Sequence, residues 1–214
     1  MAGDPAPAVE LRTIGPASES IPLFPLHTVL FPGAVLPLHI FEERYRQLVR
    51  EGRDFGVVLI QEGREVGSVP QVHRVGTLAS MERVEALPDG RFNLVAKGLR
   101  RFRLSSIGEP APYLLGEAEM LEDPLPAARP RLLALLEQYL RLHGLAVAPQ
   151  LSDAVGMRAV WLAGAVLQAE PLKRQALLES GDPALAEALL EAEIERIRRL
   201  GHLQNVPPAG FSPN

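Results

Sequence analysis

The chain has 214 residues, 47% of them hydrophobic and 22% charged, enough apolar side chain for one large core or two small ones. Its net charge of −4 is spread over both halves, so neither half is an electrostatic magnet for phosphate or anionic lipid. Cysteine is absent, which excludes disulfides, thiolate metal sites and cysteine nucleophiles and fits a reducing compartment.

Residues 1–20, "MAGDPAPAVELRTIGPASES", are rich in Pro, Ala, Gly and Ser. They have too few large apolar groups to offset their ordering entropy, and a flexible tail is expected. An acid stands where a signal peptide needs bases, and no apolar run approaches the roughly 18 residues that span a bilayer. A cytoplasmic protein without membrane contact is the expectation.

From Ile21 to about Glu122 the texture is strand-like: "AVLPLHI", "FGVVLIQ", "VGTLASMERVEAL", "FNLVAKGLRRFRL" and "YLLGEAEML" alternate or run apolar between turn signals. Pro88-Asp89-Gly90 is the clearest of these signals. Pro presets φ and Gly supplies positive φ, which predicts a hairpin pairing Val75–Leu87 with Arg91–Ile107. Phe41, Tyr45, Leu48 and Val49 recur at helical spacing and predict a short amphipathic helix over 41–50 that plugs one end of the sheet.

Past "EDPLPAARP", the most linker-like interior stretch, the pattern becomes helical. Leu132, Leu133, Leu136, Tyr139 and Leu140 give Pro130–His143 a broad apolar face. Ser152 or Asp153 caps the next helix, which runs through Trp161 to about Gln168. Glu170-Pro171 opens a third, "PLKRQALLES". Asp182-Pro183 starts the last, which Leu185, Leu189, Ile194 and Ile197 carry to a stop at Gly201. The chain is thus divided into an N-terminal tail (1–20), a β-rich subdomain (21–122), a helical subdomain (123–203) and a C-terminal tail (204–214).

Catalytic constellations are missing from the sequence. Lys97 and Lys173 are the only lysines; neither belongs to a P-loop, and neither has an activated-serine motif nearby. The five histidines are scattered. His39 with Glu42 or Glu43 is better explained as a strand-end histidine beside a capping acid than as a metal site. No catalytic residue, cofactor or metal is expected. The basic stretch "KGLRRFRL" places Lys97, Leu99, Arg101 and Arg103 on one strand face and Arg100, Phe102 and Leu104 on the other, which suits half-buried strand better than a nucleic-acid surface.

Three motifs, "PLFPL", "LFPG" and "LPLHIFE" followed by Arg44-Tyr45, together with the block His73–Leu104 and the segment "EPLKRQALLES", resemble the LON N-terminal domain family. This is the substrate-binding part of ATP-dependent Lon proteases, which also occurs in cereblon and as stand-alone bacterial proteins. The resemblance covers about residues 20–200. It implies an α+β fold, a twisted PUA-like β-barrel followed by a C-terminal helical bundle. It also implies a non-enzymatic protein that binds unfolded or specific polypeptides, with a protease or chaperone as candidate partner. Neither a Lon ATPase nor a Lon protease domain is expected in the chain. An RNA-binding module is the alternative, since PUA-like barrels elsewhere bind RNA and Arg100, Arg101 and Arg103 are available; the acidic balance and 5% aromatic content speak against it. No oligomeric state follows.

For the polypeptide contact the sequence offers the Leu30-Phe31-Pro32-Gly33 turn, where Pro32 and Gly33 mark a bend. Leu30, Phe31 and Pro32 are candidate binding residues if Phe31 projects outward; the competing expectation is that Phe31 is core. Backbone pairing at an exposed strand edge is a further expected contact mode.

Overall fold

A computed structural model of the chain describes residues 18–65, 70–109, 112–123, 129–145 and 157–204. Most of the expected N-terminal tail, the middle of "EDPLPAARP", the Ser152/Asp153 cap and the C-terminal "NVPPAGFSPN" lie outside these residues.

The fold is α+β, with seven strands and five helices among the described residues. In order they are β1 (Glu19–Leu26), β2 (Val35–Ile40), α1 (Glu43–Glu51), β3 (Phe55–Glu62), β4 (Gln71–Val72), β5 (Val75–Ala86), β6 (Phe92–Ile107), β7 (Leu115–Met120), α2 (Pro130–Leu142), α3 (Met157–Val166), α4 (Pro171–Ser180) and α5 (Pro183–Gln204). β1 begins inside the expected tail, and α5 runs through Gly201 rather than stopping there.

The expected barrel takes the form of a ring. Neighbouring strands run β1-β7-β6-β5-β3, and a parallel pairing of β3 with β1 returns to the start. β1 serves both neighbours by dividing its length: Glu19–Pro22 pairs with β7 and Leu23–Leu26 with β3. β6 does the same on one edge, with β2 along Phe92–Lys97 and β7 along Phe102–Ile107. The β5–β6 hairpin forms where the turn signal placed it. Gly90 adopts φ +80°, its N–H donates to Leu87 O at 2.9 Å, and the ladder starts with Leu87 N–H on Arg91 O at 2.8 Å.

Leu99 is an extra residue on β6, since Gly98 pairs with Ala79 and Arg100 with Leu78. A bulge of this kind turns the strand over. Before it, Leu94 and Ala96 pack with Phe24, Tyr45, Leu48 and Phe55 beneath α1. After it, Phe102 and Leu104 join Leu23, Val58, Leu78 and Ala118, a cluster drawn from the strands of the ring. The expected common face of Lys97, Leu99, Arg101 and Arg103 is therefore broken: Leu99 is exposed and Arg101 is buried against the helices.

The helices pack on the sheet through a third cluster, which joins Val29, Phe31, Leu59 and Val75 to Leu136, Tyr139, Trp161, Leu177, Leu190 and Ile194. Asp182 caps α5 as expected, accepting the Ala184 N–H at 2.9 Å. The buried stripe of α5 is Ala186, Leu190 and Ile194, while Leu185, Leu189 and Ile197 flank it, half-buried. Polar side chains tie the layers together: Gln175 Nε2 donates to Val75 O at 2.9 Å, Arg174 Nη2 to Val29 O at 3.1 Å, and Thr77 Oγ1 to Leu30 O at 2.7 Å.

Candidate functional site

Leu30 and Phe31 are buried and Pro32 is half-buried, which corrects the expectation that this turn offers an exposed apolar surface. Phe31 enters the interface between sheet and helices, its ring 6.1 Å from Trp161 and capped by the Arg174 guanidinium at 5.6 Å. Two glycines admit it. A Cβ on Gly164 of α3 would sit 2.3 Å from Phe31 Cε1, and one on Gly98 of β6 would sit 2.3 Å from Phe31 O. The bend at Pro32-Gly33 turns the phenylalanine inward.

Exposed apolar surface lies a few residues further on. Val35 is 63% and Phe41 51% exposed. Phe41 was expected on the helix's buried face, but α1 starts two residues later and Phe41 stands ahead of it. The acid pair Glu42-Glu43 carries that signal, because acids favour the first helical turn and its cap.

Between Phe24–Leu26 of β1 and Pro37–Ile40 of β2 lies a cleft of about 200 Å³, completed by Phe41, Glu42, Tyr45 and Glu65. Among the described residues neither strand pairs with the other here: β2 is bonded only to β6, and the β7 pairing of β1 ends at Pro22. One wall is the Phe24–Tyr45 stack, with centroids 4.0 Å apart and planes 18° apart. On the other side, Phe41 lies 6.4 Å from His39. Arg44, outside the lining, braces three of these residues, 4.6 Å above the Tyr45 ring, 2.9 Å from Glu42 and donating to Glu65 O at 3.0 Å. Glu65 in turn accepts the His27 N–H at 2.6 Å. The result is an apolar slot with a charged, hydrogen-bonded rim.

Burial pushes the Tyr45 hydroxyl up to about 12, against a smaller opposing pull from Arg44. The folded state therefore holds this proton more tightly than the unfolded chain. The associated stability is complete below about pH 10 and disappears as the pH rises toward 12, an effect on the order of 2 kcal/mol. Tyr45→Phe should flatten the alkaline loss relative to the parent protein in urea titrations at about pH 9 and about pH 11.5. Equal losses in both proteins would exclude this origin.

The exposed edges are guarded. Pro37, in the middle of β2, has no N–H to offer an incoming strand. The edge of β5 past Ala79, where β3 stops, carries a bulge at Glu82 and the charges of Arg83 and Glu85. Side-chain contact in the cleft is thus better provided for than extended backbone pairing. His39 is occupied: Arg91 Nη1 donates to Nε2 at 3.1 Å, which leaves Nδ1 to donate to Asn93 Oδ1 at 3.0 Å. Of the basic stretch considered for nucleic acid, Arg101 is inside, Lys97 lies 3.5 Å from Glu82, and Arg100 and Arg103 are at the surface. No described helix is long and apolar enough to cross a membrane.

Residues 20–195 match the family model of the ATP-dependent protease La (LON) substrate-binding domain. The chain is 35% identical over 114 residues to a Lon protease of Parabacteroides distasonis, covering 50% of this chain and 14% of that protein. It is 30% identical over 158 residues to a Lon protease of Koribacter versatilis, covering 71% and 19%. It thus spans no more than 19% of either relative's length. Among solved structures, a Lon N-terminal domain protein from Xanthomonas campestris is 33% identical, with a TM-score of 0.61 over 89% of this chain and 99% of that one. The N-terminal domain of the Mycobacterium avium complex Lon protease shares the fold at 20% identity and a TM-score of 0.57, over 83% and 98%.

Proposed function

The chain belongs to the LON substrate-binding domain family, and from that premise we propose that it recognises polypeptides, with the β1–β2 cleft as the contact surface. The carrying observation is the cleft itself: an aromatic-walled slot between strands that do not pair, with the half-exposed Phe41 at its mouth. An apolar side chain of an unfolded segment would fill the slot, and the Glu42 and Glu65 rim would meet its backbone. Binding is the whole of the proposed activity, so hydrolysis of ATP or peptide bonds is assigned to none of its residues. The role is that of an adaptor in cytoplasmic protein quality control, presenting bound chains to a protease or chaperone.

The test is fluorescence anisotropy with labelled, unfolded casein. Phe41→Ser should weaken binding by about tenfold, the scale of a central aromatic contact. Its melting temperature should stay near that of the parent, because half of the ring is already in water. Unchanged affinity in the variant would remove the cleft as the site. If the parent protein fails to bind, or turns over ATP or casein after repurification, the reading itself fails.

A further inference from the structure

A second groove, of about 630 Å³, lies where the sheet meets the end of α4, within the size range of ligand sites. Gln61, His73, Arg74, Arg103, Ser105 and Glu179 line it, and no Phe, Tyr or Trp does. We propose that this groove takes the carboxylate of an acidic polypeptide segment, held by Arg74 and Arg103. The proposal rests on the polypeptide-recognition reading and names a chemical class of segment it would select.

The two arginines have no carboxylate within ion-pair distance among the described residues, a state they share on the sheet with Arg83 and Arg100, which do not line the groove; other cations nearby are paired. Arg91 is held by Asp89, Lys97 by Glu82, Arg101 by Asp123 and Arg44 by Glu42. Glu119 stands across the ladder from Arg103 but makes no ion pair with it. The groove's own carboxylate, Glu179, is already engaged, by His73 Nδ1 at 3.2 Å and Gln175 Nε2 at 2.8 Å. The carbonyls of Leu178 and Glu179 at the end of α4 are taken by Arg101, so the negative end of that helix is answered before it reaches the groove. With Nδ1 donating to Glu179, His73 keeps Nε2 as an acceptor that is covered and without a partner among the described residues, so the groove's free charged donors are the two guanidinium groups. What remains is two unpaired guanidinium groups, whose planar fork matches a carboxylate bidentately.

Charge also limits the ligand. Glu117 and Glu119 of β7 lie beside β6, the strand of Arg103, so a dense polyanion would be repelled where a segment with one or two acids is accepted. The absence of Phe, Tyr and Trp from its lining points away from nucleic acid in the same way.

The test measures anisotropy of a labelled Glu-rich peptide, its Gln-for-Glu counterpart, an apolar neutral peptide and an oligouridylate. The parent protein should prefer the Glu-rich peptide over its Gln counterpart. Arg74→Glu and Arg103→Glu should each weaken it by about tenfold and leave the apolar peptide's affinity unchanged. Arg53→Glu, the same charge change at the opposite end of β3 from Gln61, should leave both unchanged. Both groove arginines are exposed, and unchanged melting temperatures confirm intact folding. If the apolar peptide binds but the Glu-rich peptide shows no preference, or all three variants weaken it equally, the groove proposal is overturned and the recognition reading stands. Tighter oligouridylate binding, lost in the same two variants, overturns the proposal in favour of nucleic acid. If no peptide binds at all, both fall.

Discussion

Phe31→Ala is expected to destabilise the protein by about 3–5 kcal/mol, the cost of removing a fully buried phenylalanine from a site that cannot collapse. For a chain of this size that corresponds to a fall in melting temperature on the order of 10 °C. The ring fills the space between Gly164, Trp161 and Arg174, and backbone on both sides keeps the void open. Gly164→Ala is the converse case. Its added methyl would meet the ring at 2.3 Å, so alone it should destabilise by overpacking. Combined with Phe31→Ala it should cost less than the two losses summed, because the methyl enters the vacated space. Calorimetry of the three variants reads this coupling directly. A Phe31→Ala cost below about 1 kcal/mol would show that the ring is not the joint between the layers.

Arg101→Met carries the second large effect, about 3 kcal/mol. The guanidinium is buried, with Nε donating to Asp123 Oδ1 at 3.0 Å and Nη1 to Leu178 O at 2.9 Å. It lies 4.8 Å over the Trp161 ring, whose Nε1 donates to the other Asp123 oxygen at 3.1 Å. Methionine replaces the volume but leaves helix-end carbonyls without donors and Asp123 with the Trp161 N–H alone. Arg101→Lys should recover little, since one ammonium cannot serve divergent acceptors and stack on an indole. Urea unfolding followed by Trp161 fluorescence is the measurement. Loss below about 1 kcal/mol, or full recovery by lysine, would mean that the arginine contributes only its charge.

Both residues were hard to read from the sequence for the same physical reason. The space for Phe31 is created by a glycine on α3, and the bend at Pro32-Gly33 is compatible with either direction of the ring. Arg101 was assigned from strand alternation, which holds only while the ladder is regular, and the extra residue at Leu99 inverts it. Local chemistry was legible. Pro88-Asp89-Gly90 fixed its hairpin, and Asp182-Pro183 and Glu170-Pro171 fixed two helix starts, because each signal acts within a few residues. Burial also selected Tyr45, Leu48 and Val49 correctly. The cleft was not legible, since it is formed by two strands failing to pair, and only the closure of β1 on β3 and β7 determines that.

The division of β1 between two partners has a consequence during synthesis. Its parallel mate β3 follows within about forty residues at ordinary strand spacing, but the β7 half must wait for the whole β5–β6 hairpin, a high-contact-order arrangement that slows folding. The helices come later still. Gln175 seals onto Val75 across 100 residues and Arg174 onto Val29 across 145. At ~5–20 residues per second, translation leaves the sheet face around Val29, Phe31 and Val75 uncovered for on the order of ten seconds. During that interval the nascent chain itself presents the kind of apolar surface that chaperones bind, and the arrival of α4 ends the exposure.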